Sequence, residues 1–587
     1  EISELLEIWE SDLHADDPTF QLRAINRLGA LALAVGPDVT MKQVIPLMHR
    51  TCQCENEEML IGVAEQASLM LPAVGEANLS VLVEILVAMA KQESRLVKDM
   101  AVRGLNSFIR EMPSPLVDSV LFPAVMGLAA AGHHNPVTSG VAVLSTLMQR
   151  VSPSNKGEIL SVYSTHCSST ATFIRRICSE HLCDMIPCVP PTALEDTLLP
   201  AFLSFSSDQQ GIIRLGSVKA ASMLLGTLPP TATDSIRKVA STYTKLAADT
   251  TWQVRNAILQ SFKEFLTGPG PTRLGWEKVM TTYTGMLKDV EAEVRAGAIK
   301  LLPDMATQNR PCIADLMSGP IQTLIKDENS TPRLALAHAL QPLGEILGEN
   351  ATVAMIVPVA MALLQDSDYE VQLAMLEHMA GLCRIIGTRS FDQSLFPHVN
   401  ALNNAQHWRV RREYIKGLAT MLGADVMEGA EPPATLPTVE ATIWRMMMDS
   451  VWSVRRATVD ATVELTKIVG TDWCDNTVVP RVLGLRTEKS YLLRSTLLDF
   501  VAALAPHMSQ DTLGKSVLPV LLELSRDRIS NVRFLACKAL GVAGVTLGVN
   551  HKLSQDFIIP RLVALTHDDK DNDVINFAKE ALELLKP

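Results

Sequence analysis

The chain has 587 residues, 47% of them hydrophobic but only 5% aromatic, with a net charge of −12 and a pI near 5.6. This length exceeds what one compact core sustains, and the acidic balance leaves no basic surplus to neutralise nucleic-acid phosphates. No apolar run reaches the length of a membrane span; Val81 to Ala90 is interrupted by Glu84.

Glu1-Ile2-Ser3-Glu4 lacks the pattern of a signal peptide, and the missing initiator Met predicts a short absent N-terminal piece. The first helix pair is expected from about Ile2 to Val35. Leu5, Leu6, Ile8 and Trp9 mark the apolar face of its first helix, and Leu22, Ile25, Leu28, Leu31 and Leu33 that of its second, with a more polar outer surface. Further along, one phrase recurs: Asp249 to Arg255, Asp289 to Arg295, Gln406 to Arg412, Asp449 to Arg455 and Asp527 to Arg533. Each is a polar turn, then an aliphatic residue, then Arg.

Anchoring on that aliphatic residue gives a register of fifteen positions: Leu22, Leu60, Val97, Ser139, Ile174, Ile213, Val254, Val294, Pro332, Val371, Val410, Val454, Leu493, Val532 and Val574. The mean spacing is near 39 residues, the signature of stacked helix pairs. Lys or Arg follows the anchor in eleven of the fifteen, and Asp lies five residues before it in nine, so the register is not an accident of choice. Glu55 and Glu488 occupy the Asp place in two more. The Asp sits where a turn meets the free N–H groups of a helix. The Arg sits in the first turn of that helix, where the macrodipole disfavours a cation. An Asp from a neighbouring repeat is its natural counter-ion, so an Asp–Arg ladder along one edge is predicted.

A proline precedes the anchor by 12 to 17 residues in ten repeats: Pro46, Pro123, Pro200, Pro320, Pro358, Pro397, Pro437, Pro480, Pro519 and Pro560. A recurrent kink early in the first helix of each pair points to HEAT rather than armadillo architecture. The fold expected is therefore all-α, a single solenoid of about fifteen HEAT repeats over 1–587, curved into a superhelical hook. Repeat 4 fits poorly, with Gly132 to Pro136 in place of the acidic turn and Gly140 in place of Arg. Gly268 to Pro271 reads as a loop, as does the acidic stretch between Gly423 and Leu436.

Catalytic and cofactor signatures are not found: there is no phosphate loop, H-E-x-x-H or G-x-S-x-G. His49, Cys52 and Cys54 offer only three local ligands and read as a helix end, not a metal site. Cys178, Cys183 and Cys188 are expected to be core thiols, and the ten cysteines show no disulfide framework, which suits an intracellular chain. His133-His134, Asp568-Asp569 and Glu55 to Glu58 are expected to be solvated. The aromatics differ. Trp252, Trp408 and Trp452 fall two residues before their anchors, a slot shared by Tyr369, Tyr491 and Phe20. Trp and Arg are the types most enriched at binding hot spots, so this row of turns is the expected docking edge.

With these residues in view, the chain resembles the scaffolding A subunit family of protein phosphatase 2A. The phrases that carry the resemblance are Trp252 to Asn256, Asp289 to Ala296, Trp408 to Arg411, Ser530 to Phe534 and Phe577 to Leu582. It implies a non-enzymatic scaffold without cofactor or metal, which tethers the catalytic subunit of a phosphatase to an exchangeable regulatory B subunit. By position, Trp408, Arg409, Arg411, Trp452, Arg455, Arg494, Arg533 and Phe534 would meet the catalytic subunit, on repeats 11 to 15 (391–587). Arg175, Arg176, Trp252, Arg255 and Arg295 would meet the regulatory subunit, on repeats 1 to 10 (1–390). The resemblance predicts neither nucleic acid nor membrane as partner, and a cytoplasmic location with the nucleus as a second compartment. The alternative is a nuclear-transport-type helical-repeat receptor.

Overall fold

In the computed structural model, every anchor lies near the start of a helix. Thirteen of the fifteen anchors are buried, Leu22 and Leu493 being half-buried, so the register marks the inward stripe of each second helix. The structure describes residues 2–13, 15, 17–54, 56–422 and 436–586. Glu55 and the acidic stretch after Gly423 lie outside the described residues. Among the described residues the chain is helical with no strand, as expected for a HEAT-repeat solenoid. They form two compact units, Glu1–Val294 and Arg295–Pro587.

Within each unit the pattern is a short first helix, a tight turn and a longer second helix. Trp252–Thr267, Ser330–Leu347, Tyr369–Ile386 and Ser530–Leu547 are second helices. Several end on a glycine with positive φ, such as Gly387 at 76° and Gly470 at 110°, where an L side chain would be strained.

The recurrent prolines act in a specific way. Seven of them, at 46, 123, 200, 358, 480, 519 and 560, follow directly on a π turn. In each, the residue before the proline donates its N–H to the carbonyl five residues back, as Ile45 does to Thr40 and Val357 to Thr352. Proline has no N–H and its ring crowds the carbonyl four residues back, so the ladder shifts by one residue there. Two of these turns carry a buried threonine: the hydroxyls of Thr40 and Thr352 donate to Gly36 O and Gly348 O, both at 2.8 Å.

Two expectations need correction. Ile8 and Leu33 are 63% and 60% exposed, not on the apolar faces. The helix Ile2–Leu13 buries Trp9 and Leu13, one stripe four residues apart, and Ile8 points a quarter-turn away from it. Repeat 4 is specialised rather than degraded. A Cβ at Gly140 would overlap the backbone of Leu128 and Ala129, so the two helices of that repeat meet where no side chain fits. Ser139 Oγ there donates to Ala90 O at 2.9 Å, linking to the preceding repeat.

Candidate functional site

The turns are built by their aspartates. In each, a carboxylate oxygen accepts from the backbone N–H two residues on, as Asp249 does from Thr251 (2.8 Å) and Asp527 from Ile529 (2.9 Å). This fixes the turn and leaves the carboxylate facing the preceding repeat. There it meets the Arg that follows the anchor. Arg255 donates Nη1 to Asp249 O in its own turn (2.7 Å). Its Nε and Nη2 go to the two oxygens of Asp289 in the next turn, at 2.6 and 2.7 Å.

The first unit carries Arg175–Asp208, Arg214–Asp249 and Arg255–Asp289. The second carries Arg295–Asp327, Arg333–Asp366, Arg411–Asp449, Arg494–Asp527 and Arg533–Asp569. Every Asp in the turn slot whose preceding repeat offers an Arg takes it, so the predicted ladder is present. The planar fork of Arg suits this two-oxygen grip in a way a lysine would not.

The electrostatics follow from this geometry. The Arg533 guanidinium holds the Asp569 carboxyl below the usual carboxylate range. At Asp249 and Asp527 burial opposes ionisation, but the paired guanidinium and the turn N–H groups outweigh it and the carboxyls are again lowered. Asp569, expected to be solvated, is thus a buried rung, whereas Asp568 is exposed.

Two rungs in the second unit are missing. Repeat 10 has Gln372 in the Arg place and repeat 11 has Ala405 in the Asp place. Gln372 Nε2 donates to Asp366 O at 2.8 Å, and the turns are bridged instead by Tyr369 stacked on His407 at 3.9 Å. In repeat 13 Glu488 replaces the Asp. Arg455, only 3% exposed, therefore donates to Thr496 Oγ1 (2.9 Å) and to Asp449 O (2.7 Å), and burial lowers its pKa.

This arrangement sorts the residues singled out in the sequence. Arg175, Arg255, Arg295, Arg411, Arg455, Arg494 and Arg533 have guanidinium groups engaged within the chain and hold the edge together. Other residues stand in front of them. Trp452 is 62% exposed and Trp252 36%, and each opens its helix. Trp408 is half-buried, with the Arg409 and Arg412 guanidinium groups 5.6 and 5.2 Å from its ring. Phe534 packs on Phe577 at 5.1 Å, with Lys538 over both rings. Arg176 pairs with Glu180 at 2.7 Å and stays partly exposed.

All ten cysteines are free. Burial pushes the Cys52 thiol up to about 11, which disfavours the thiolate a metal needs. Cys178 is core, but Cys183 and Cys188 are only half-buried. His134 is exposed and packs edge-on against Phe173 at 4.5 Å. Sequence reasoning missed one cluster, His338 with Glu377 and His378. The two histidines are 40 residues apart, about one repeat, and that interval was the available signal.

The comparisons agree with this architecture. The chain is 29% identical over 375 residues to the beta isoform of the human serine/threonine-protein phosphatase 2A 65 kDa regulatory A subunit, covering 63% of this chain and 62% of that protein. It is 28% identical over 264 residues to the regulatory A subunit of Schizosaccharomyces pombe protein phosphatase PP2A, 44% of each chain. A probable PP2A regulatory subunit from Caenorhabditis elegans matches at 28% over 218 residues, 37% of each. The matched stretches thus span less than two thirds of these relatives. A family described as PIK3R4-like, middle domain, matches residues 347–433. Among solved structures, a Kap121p mutant superposes with a TM-score of 0.60 at 14% identity, over 93% of this chain and 56% of that one. Importin beta does so with a TM-score of 0.51 at 12% identity, over 99% and 84%. The chain is therefore a HEAT-type helical-repeat protein whose sequence relatives are phosphatase 2A regulatory A subunits.

Proposed function

We propose that this chain is a divergent member of the phosphatase 2A scaffolding A subunit family. It acts as a non-enzymatic scaffold that tethers the catalytic subunit of a serine/threonine phosphatase to an exchangeable regulatory B subunit through its turns. The observation that supports this reading best is the pairing of a rigid Arg–Asp ladder with exposed tryptophans at the same turns. A docking edge needs anchors whose positions are fixed before the partner arrives. Holding enzyme and substrate selector on one frame makes their encounter intramolecular.

In this reading Trp408, Arg409, Trp452 and Phe534 meet the catalytic subunit on 391–587, and Trp252 and Arg176 meet the regulatory subunit on 1–390. Arg411, Arg455, Arg494 and Arg533, with Arg175, Arg255 and Arg295, set the position of the edge from behind. The protein works in the cytoplasm, with the nucleus as a second compartment. The test is a pulldown of the recombinant chain against a type-2A catalytic subunit, beside a Trp408→Ala/Trp452→Ala variant of unchanged helical content. Capture by the wild type and loss in the variant are expected. A folded wild-type chain that captures no catalytic subunit overturns the reading and leaves the transport-receptor alternative, for which the fold likeness alone speaks.

A further inference from the structure

We propose that His338, His378 and Glu377 form a divalent transition-metal site, suited to Zn2+, that ties the second helices of two successive repeats together. His338 lies on the helix Ser330–Leu347 and the other two on Tyr369–Ile386. His338 Nδ1 is 3.0 Å from His378 Nε2, and one ligand atom from each of the three residues lies within 4.8 Å of the others. Around a tetrahedral Zn2+ with bonds of about 2.0–2.2 Å, ligand atoms stand roughly 3.4 Å apart. The imidazoles are already near that separation. Glu377 is exposed, and one of its carboxylate oxygens already lies within 4.8 Å of both ring nitrogens. Two neutral imidazoles and one carboxylate are a ligand set that Zn2+ favours, with water completing the fourth position.

What separates this cluster from a chance pair of surface histidines is the chain of groups behind it. His378 Nδ1 is 2.9 Å from Gln341 Oε1, and Gln341 Nε2 donates to Glu345 Oε1 at 2.9 Å. A carboxylate accepts only, so Glu345 takes the amide NH2 and turns the amide oxygen toward His378. That oxygen requires the proton on Nδ1, which leaves the Nε2 lone pair aimed at the site. This is the arrangement by which outer-shell groups orient a metal-bound histidine. The Gln341 amide lies where a Cβ on residue 381 would be, so Gly381 is what admits it. On the open side, His338 and Glu377 line a cavity of about 760 Å³ that gives an ion access from solvent.

Binding needs a tautomer change at His338: its Nδ1 proton passes to solvent water and its Nε2 takes one up from solvent, so the Nδ1 lone pair is freed for the metal with no net release of protons. The bound ion would add a cross-link between repeats 9 and 10, whose turns are also joined by Arg333–Asp366.

The experiment is a Zn2+ titration of the full chain by calorimetry, with Co2+ as an optical probe of tetrahedral geometry. One equivalent is expected, with Zn2+-dependent hydrogen-exchange protection within residues 330–386. His338→Ala and His378→Ala should each lose the site, whereas Cys52→Ser/Cys54→Ser should keep it. Gln341→Ala and Gly381→Ala keep all three ligands and should bind about 10–100-fold more weakly. Stoichiometric binding that survives His338→Ala/His378→Ala overturns the proposal, as does wild-type affinity in both Gln341→Ala and Gly381→Ala. Absence of one-equivalent binding by the folded wild-type chain overturns it too.

Discussion

Asp527→Ala tests the ladder most directly. The Asp527 carboxylate accepts from Arg494 Nε (2.6 Å), Arg494 Nη2 (3.0 Å) and the Ile529 N–H (2.9 Å), and both side chains are only 9% exposed. Removing it leaves a buried guanidinium with only the carbonyls of Glu488 and Lys489 as acceptors. Breaking one side of a buried ion pair costs about 3–5 kcal/mol, and the retained carbonyls place this one at the lower end, about 3 kcal/mol. A repeat array does not unfold in one step, so the readout is native-state hydrogen exchange of the helices Tyr491–Leu504 and Ser530–Leu547. At 1.4 kcal/mol per factor of ten, their protection should fall by about two orders of magnitude. Asp511→Ala is the control. Its partner Lys515 and Asp511 itself are 78% and 71% exposed, and its loss should change protection less than about threefold. Equal effects from the two variants would refute the ladder as a source of stability. Arg455→Met, at a rung without a carboxylate, should cost clearly less than Arg494→Met, which strands Asp527.

The other predictions follow from the same features. Trp452→Ala should leave local stability within about 0.5 kcal/mol, while Trp408→Ala should cost about 1 kcal/mol through the two arginines over its ring, both read by native-state hydrogen exchange of the helices Trp452–Val469 and Trp408–Leu422. For pH, Asp208, Asp249, Asp327, Asp527 and Asp569 all have lowered carboxyl pKa values in the fold. Their contribution is complete above the unfolded value, about pH 4, and is lost as pH falls through the folded values. Helical signal should therefore hold from neutral pH to about 5 and decline below about 4, and a decline beginning near pH 6 would contradict this. In native alkylation at neutral pH, the buried thiols should stay unmodified. Cys537, pushed up to about 12 mainly by burial, is the example, and Cys54 should react ahead of the buried seven.

The ladder was legible in the sequence because both of its halves are local. Asp caps a turn, Arg opens a helix, and each recurs at a fixed offset from a buried anchor. That the arginines become enclosed was not legible, because exposure depends on how closely the next turn approaches, and a repeat period carries no such distance. Proline announced a kink but not its form. The π turn arises from competition between carbonyls four and five residues back, which the residue types alone do not rank. Gly140 read as a lost Arg because the sequence does not show the backbone of Leu128 and Ala129 against it. His338 and His378 were overlooked for a related reason: a search for local ligand spacing passes over partners placed one full repeat apart.

The two missing rungs have a mechanical consequence. Junctions joined one after another behave as springs in series, where the softest element takes up most of an extension. In the second unit, the turn edge between repeats 10 and 11 is bridged by the Tyr369–His407 stack and by Gln365 Nε2 with His398 Nδ1 at 2.7 Å, and that between repeats 12 and 13 by neutral acceptors around Arg455. A pull on this unit would strain those two turn edges before the arginine-clamped ones. Stiffness is thus written rung by rung, and exchanging Glu488 alone, or Gln372 and Ala405 together, would move the point at which the array yields.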